Sequence, residues 1–326
     1  MTKEINLAFK MLKERIGSKK AVPFDEFIEF ALYHPEIGYY VAKKNRVGKG
    51  EESDFYTSNS HGKLWGELII DSCEHILGRN QINKYAFIEI AAEPNCSVLK
   101  EINHPFKVSK VFRLGDPVEI PDHSIVFSNE WLDAQPFKRY RFNKKKLVWE
   151  EIGLSIIENE IIEVCIPTCN VPSKFCRDSI HGYTIDWPVG AHTAMQKLLS
   201  KSWKGMFLTF DYGLSSKIIL QERPMGTARA YYKHQHCDSL FSRIGEQDLT
   251  CQLCWDELSE CLVKNDFFNI NLQSQESFLM YNAKNRIKSI FENVNKSPNS
   301  DMLKLRELIH PQHFGMKFQA LWGIRK

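Results

Sequence analysis

No apolar run in this 326-residue chain reaches the ~18 residues that a membrane-spanning helix needs, so no span is expected. An excess of one charge is also lacking. With 43 basic against 40 acidic residues, the net charge of +3 makes no field of the kind that gathers nucleic acid or lipid headgroups. The nine cysteines are an odd number without the dense spacing of a disulfide scaffold, and no secretory apolar segment opens the chain. Reduced thiols in a cytoplasmic protein are the expectation. No metal is expected. Cys251 and Cys254 form a CxxC with His234 and His236 upstream, but Cys251, Cys254, Leu258 and Leu262 follow helical spacing, which predicts a buried helix face within 248–264.

The most consequential shortage is of glycine in one turn. Tyr85 to Ile90 is a short apolar run, followed by small residues and then by Val98, Leu99 and Ile102 at helical spacing. That predicts a strand, a tight turn and a helix, with Pro94 suited to the first helical turn and Pro105 ending it. In nucleotide-binding α/β proteins such a turn seats a ligand on backbone N–H groups and a helix N-terminus. Glu89, inside the strand, would lie under that ligand. Glycines normally let the backbone come close there, and this turn carries Ala91, Ala92, Glu93, Pro94 and Asn95 instead. Any buried strand followed by a helix has the same pattern, so the turn alone decides nothing.

The remaining chain alternates helical and strand-like periods. Ile5, Phe9, Leu12 and Ile16 predict an amphipathic helix, and Phe24, Phe27, Ile28, Ala31 and Leu32 a second, closed by HPEIGYY at 34–40. A charged, glycine-bearing loop at 43–53 reads as a lid or a surface excursion, and a helix is expected around 64–77. Ile125 to Phe127 form a strand that runs into SNEWLDAQPF, which puts Asn129, Glu130 and Asp133 at the carboxyl end of a core strand, where open α/β sheets bind ligands. The same residues would serve as turn and cap residues of a following helix. The basic run Lys138 to Lys146 reads as the solvated end of a hairpin, and 147–166 as a further hairpin laid against the sheet. GMFLTFDYG at 205–213 repeats the theme of a buried strand, ending here in Asp211 and Tyr212. Residues 214–250 have little periodicity, yet their aromatic and charged residues are too specific for disorder.

The ordered series ALYHPEIGYY, SDFYTS, WGE, FIEI, SNEWLDAQPF, FDYG, GTARAYYKHQH, GEQDLT, SQESFL and HPQHFGMKFQAL resembles the MidA-type S-adenosylmethionine-dependent methyltransferases, the family of a mitochondrial complex I assembly factor that methylates a protein arginine. The resemblance runs from near residue 22 to the C-terminus. It implies an α/β fold, a Rossmann-like class I methyltransferase sheet with an added lobe on the substrate side. The family's glycine-rich turn matches Ala91 to Asn95, its asparagine–glutamate–aromatic–aspartate segment matches Asn129, Glu130, Trp131 and Asp133, and its aspartate–tyrosine–glycine matches Asp211, Tyr212 and Gly213. Its threonine–arginine–tyrosine segment matches Thr227, Arg229 and Tyr231. A full sheet of this class needs two more strands between the first strand and the SNEW strand. At roughly 30 residues per unit there is room for one. The sheet is therefore expected to be short by one strand and helix, with Asp116 as the residue flanking the adenine. The expected division is an N-terminal helical segment, 1–84, packed on a core of 85–326 that carries 214–250 as an insertion.

Two functions follow from the resemblance. In the first, the chain methylates a protein side chain, with arginine in view. Its cofactor S-adenosylmethionine is held by Glu89, Ala91, Asn95, Asp116 and Asn129. Glu130, Asp133, Glu246 and Asp248 orient the acceptor, Asp211 and Tyr212 shape the pocket floor, and Tyr39, Tyr40, Phe55 and Tyr56 wall it. In the second, a non-catalytic relative that has lost the cofactor binds a protein partner as an assembly factor or chaperone.

Overall fold

A computed structural model of the chain describes residues 3–41, 58–94, 96–168, 170–176, 178–233, 235–292 and 300–326. The 43–53 loop, Phe55, Tyr56, Asn95 and His234 lie outside the described residues. The chain divides into two compact units. One comprises 1–44, 132–195 and 213–258, the other 45–131, 196–212 and 259–326, so the 84/85 boundary falls within the second.

Unit two is built on a six-stranded sheet. In chain order its strands are β1 (Ala86–Ile90), β2 (Val108–Phe112), β3 (His123–Asn129), β4 (Lys204–Asp211), β5 (Phe268–Ser274) and β6 (Gln319–Arg325). They lie in the order β5-β6-β4-β3-β1-β2, with β4, β3, β1 and β2 parallel and β6 antiparallel to both of its neighbours. One strand, β2, stands between β1 and β3 in sequence, which is the shortened sheet that the spacing predicts. All five residues of β1 are buried, as a near-continuous apolar run in a parallel sheet requires. Phe87, Phe127, Phe210 and Phe278 pack with Trp65 and Leu68 of the helix Lys63–Leu77 into the core of this unit. Each such side chain removed from water contributes about 1.5–3 kcal/mol.

Among the described residues, the helix expected after β1 does not form. Residues 96–102 form successive turns, in which Lys100 N–H donates to the Ser97 carbonyl and Ile102 N–H to that of Leu99, and Glu101 takes a left-handed φ of 61° that stops helical propagation. The turns rest on the helix Lys63–Leu77 at Gly66, where a Cβ would lie 2.2 Å from the Val98 carbonyl oxygen. No bulkier residue permits that approach, which accounts for the glycine in WGE.

Unit one holds a five-stranded sheet in which Val148–Ile157 pairs antiparallel with Lys138–Asn143, Glu160–Ile166 and Val22–Pro23, and Lys138–Asn143 also pairs with Thr184–Trp187. The basic run does end a hairpin. The second hairpin, 148–166, belongs to this separate sheet and not to the Rossmann-like one. Tyr140, Phe142, Trp149, Phe175 and Trp187 form an aromatic core there. The segment 214–250 is more regular than its composition suggests: Arg229–Tyr232 pairs with Gln235–Cys237 and with Asp248–Thr250. That pairing corrects the helix expected over 248–264, because the backbone groups of 248–250 are used in a sheet and the helix starts only at Trp255. Cys251 and Cys254 are nonetheless buried, and burial pushes the Cys251 thiol well above its ordinary range. Among the described residues no helix is long and apolar enough to cross a membrane, and no three His, Cys, Asp or Glu side chains cluster to hold a metal.

Candidate active site

The parallel strands of unit two end side by side. The register sets Ile90 of β1 against Ser128 of β3 and Asn129 of β3 against Phe210 of β4, while Ala91 N–H donates to the Phe112 carbonyl at the end of β2. Two residues that follow adjacent strands adopt left-handed backbone, Ala91 at φ 59° and Glu130 at φ 50°. Each costs a residue with a Cβ about 1 kcal/mol. Such strain gathers where a site over-determines the backbone. At position 91 the chain keeps a conformation suited to glycine with the smallest side chain that is not glycine.

Glu89 is 3% exposed. Its Oε2 accepts the Ser97 hydroxyl at 2.7 Å, and both its carboxylate oxygens lie 3.0 Å from the Val98 amide nitrogen. Burial pushes its pKa up to about 7, with the hydrogen bonds from Ser97 and Val98 and the charge of Arg113 pulling the other way. Asn129 donates from Nδ2 to Glu130 Oε1 at 2.9 Å, and its buried Oδ1 has no hydrogen-bond partner. Glu130 N–H donates to the Phe210 carbonyl at 2.8 Å. Asp211, fully buried, accepts the Trp131 amide at 3.2 Å and the Tyr212 amide at 2.9 Å, so it holds both loop ends. Tyr212 packs its ring edge-on to Phe318. Asp116 is exposed, with Oδ2 closing a surface turn on the Arg113 amide at 2.8 Å.

Asp133, Glu246 and Asp248 belong to unit one. Asp133 and Asp248 are 5% and 4% exposed. Tyr40 OH donates to Asp248 Oδ1 at 2.8 Å, its ring stacks on Tyr33 at 5.6 Å, and Tyr39 stands edge-on to it at 5.1 Å. Burial, then the negative charges of Asp248 and Asp133, hold the Tyr40 phenol well above its usual range and so protonated. Glu246 lies near Arg243, 3.7 Å away.

Sequence reasoning missed two anchoring groups. Ser97 carried no signal beyond a hydroxyl in a turn. Asp186, in the strand Thr184–Trp187, did carry one, a charge in a short apolar strand. It is fully buried, takes Arg139 Nε at 2.7 Å and Nη2 at 3.3 Å, and accepts the Thr227 and Ala228 amides at 2.7 and 2.8 Å. Gly226, at φ 76°, leaves no room for a Cβ, which would lie 2.3 Å from Asp186 Oδ2. Burial works against the Arg139 charge, but Asp186 and Glu163 raise its pKa.

Residues 81–270, more than half of the chain, match the model of a family described as S-adenosyl-L-methionine-dependent methyltransferases. The chain belongs to this family. A crystal structure of a Burkholderia thailandensis protein bound to S-adenosyl-homocysteine is similar over 99% of this chain and 92% of that one, with a TM-score of 0.86 at 19% identity. The native crystal structure of an uncharacterised protein of the same superfamily, from the same organism, matches with a TM-score of 0.78 at 18% identity over the same shares. At such identities the likeness is one of fold, and it agrees with the sheet described above. The family's cofactor is S-adenosylmethionine. The strand ends of unit two fit it in kind: Asn129 offers a buried acceptor without a partner, and the backbone at Ala91 has the conformation a glycine would take.

Proposed function

We propose that the chain methylates a cationic side chain of a protein substrate, with arginine the best fit. The observation that carries this reading is the cluster in unit one, two buried carboxylates, Asp133 and Asp248, next to stacked tyrosine rings. Carboxylates match the fork of a guanidinium, and aromatic faces favour its flat, weakly hydrated cation. S-adenosylmethionine, when bound, supplies a methyl group on a sulfonium. Ala91 and Asn129 would hold it, with Asp116 from the predicted set; Glu89, its carboxylate turned to Ser97 and Val98, would act on the turn and not on the ligand, and Asn95 lies outside the described residues. The work left to this chain is to orient the acceptor, to exclude water and to take up the proton that the acceptor loses. Asp133 and Asp248 do the first and last, the protonated Tyr40 fixes Asp248, and Tyr33 and Tyr39 exclude water. Glu130, Asp211 and Tyr212 shape the strand ends, and Glu246 adds negative charge in unit one.

The test is transfer of labelled methyl from S-adenosylmethionine to matched peptides that differ only in carrying arginine or lysine, with the product residue identified by mass spectrometry. Methylarginine is expected, with the rate reduced about tenfold or more in Asp248→Asn. Label on lysine, or none on either peptide with cofactor bound, would contradict the reading. In the latter case a protein-binding relative is left.

A further inference from the structure

Glu89 points away from the role that its position suggests. An acidic residue in the first strand, beside a ligand-binding turn, is in place to meet the ligand. Here both carboxylate oxygens are directed at the chain itself, to the Ser97 hydroxyl and the Val98 amide. These donors lie in the stretch where a helix is missing and where the turns press against Gly66. A glycine-rich turn that leads into a helix is held by the helix's own hydrogen bonds. A turn without glycines or helix needs another fixing. We propose that Glu89 is a positioning residue: by tying Ser97 and Val98 to β1 it sets the backbone of 91–94 and 96–102 in the shape that receives the cofactor, in place of the glycines and helix that the turn lacks among the described residues.

Other features agree with this assignment. Glu89 is buried, so its carboxyl cannot exchange these donors for water without opening the turn. The charged and titratable groups facing it are Arg113, at the end of β2, and Cys96, in the turn itself. Neither forms a hydrogen bond to the carboxyl among the described contacts, so the tie depends on Ser97 and Val98. Ionised, the carboxylate serves both donors as an acceptor. Protonated, it leaves one oxygen for the two, and the tie slackens.

The inference rests on the cofactor reading, and one set of measurements separates the two. Hydrogen exchange over residues 91–102 is followed in the cofactor-free full chain, and S-adenosylhomocysteine is titrated calorimetrically at pH 6, 7 and 8. Both are done for the wild type, Ser97→Ala, Glu89→Gln and Glu89→Ala. A protected Val98 amide is expected in the wild type. Ser97→Ala should speed exchange and weaken binding about three- to tenfold, although its hydroxyl is engaged by Glu89. Glu89→Gln, which still offers an oxygen to Val98 and an amide to Ser97, should restore most of the affinity lost in Glu89→Ala. Wild-type affinity should tighten as pH rises through neutrality and that of Glu89→Gln should stay level. Wild-type-like exchange and affinity in Ser97→Ala would overturn the inference alone. So would a Glu89→Gln variant that loses binding with its exchange unchanged, since Glu89 would then touch the ligand directly. No heat from the wild type would remove the cofactor reading and this one together.

Discussion

Two loops in this protein are held by the same device and differ in one respect. In unit one, Asp186 accepts the consecutive amides of Thr227 and Ala228; in unit two, Glu89 accepts the amide of Val98 and the hydroxyl of its neighbour Ser97. Both carboxyls are buried. Asp186 also has Arg139 in a two-pronged ion pair, whereas among the described residues Glu89 has only the charge of Arg113, with no ion pair. Desolvation draws the buried Glu89 carboxyl towards its protonated form, and the hydrogen bonds from Ser97 and Val98 only partly offset it. The first loop is thus locked by an ion pair, and the second is open to adjustment by pH.

The largest effect should come from breaking the locked loop. Asp186→Ala leaves Arg139 buried beside Glu163 alone and frees two amides, for an expected loss of about 3–5 kcal/mol in urea unfolding. Next is the pH response of the second loop. Because burial raises the folded-state pKa of Glu89 above its unfolded value against the pull of its two donors, the chain as a whole is most stable below about pH 4.5 and loses stability as pH rises through about 7, although the ionised carboxylate holds those donors more tightly. The difference is about 3 kcal/mol. It should vanish in Glu89→Gln, whose stability between pH 5 and 8 should vary less than that of the wild type. A Glu89→Gln curve parallel to the wild type would remove the contrast between the loops. Gly66→Ala pushes a Cβ into the Val98 carbonyl and should cost about 1–3 kcal/mol by the same unfolding assay, with faster hydrogen exchange over 96–102. The smallest effect is a gain. Ala91→Gly relieves the left-handed φ of 59° and should stabilise the chain by about 1 kcal/mol, read as a rise in thermal midpoint.

The two units were not equally legible in the sequence. The strands β1, β3 and β4 are plain as buried apolar runs, and the count of residues between β1 and β3 announced a single intervening strand. Position at those strand ends, together with the family resemblance, pointed to Asn129, Glu130, Asp211 and Tyr212, and the structure puts them at or just beyond the ends of β3 and β4. The helix after β1 does not form although Val98, Leu99 and Ile102 satisfy helical spacing: Val98 and Leu99 are buried, and Ile102 half-buried, by turns that Glu89 fixes from eight residues away. The 248–264 helix was misread for a related reason: the spacing of Cys251, Cys254 and Leu258 fits a helix, but pairing of 248–250 with 229–232 overrides it. Periodicity reports which residues are buried. It does not report which partner buries them, and both errors arose where a distant side chain or strand supplied that partner.

The central claim is that the strand ends of unit two bind the cofactor with no glycine in the turn. Calorimetric titration of the purified, cofactor-stripped chain with S-adenosylhomocysteine tests it most directly. Micromolar binding is predicted, weakened about tenfold in Asn129→Ala by loss of the buried acceptor. The absence of heat and of any thermal shift at millimolar ligand would contradict it.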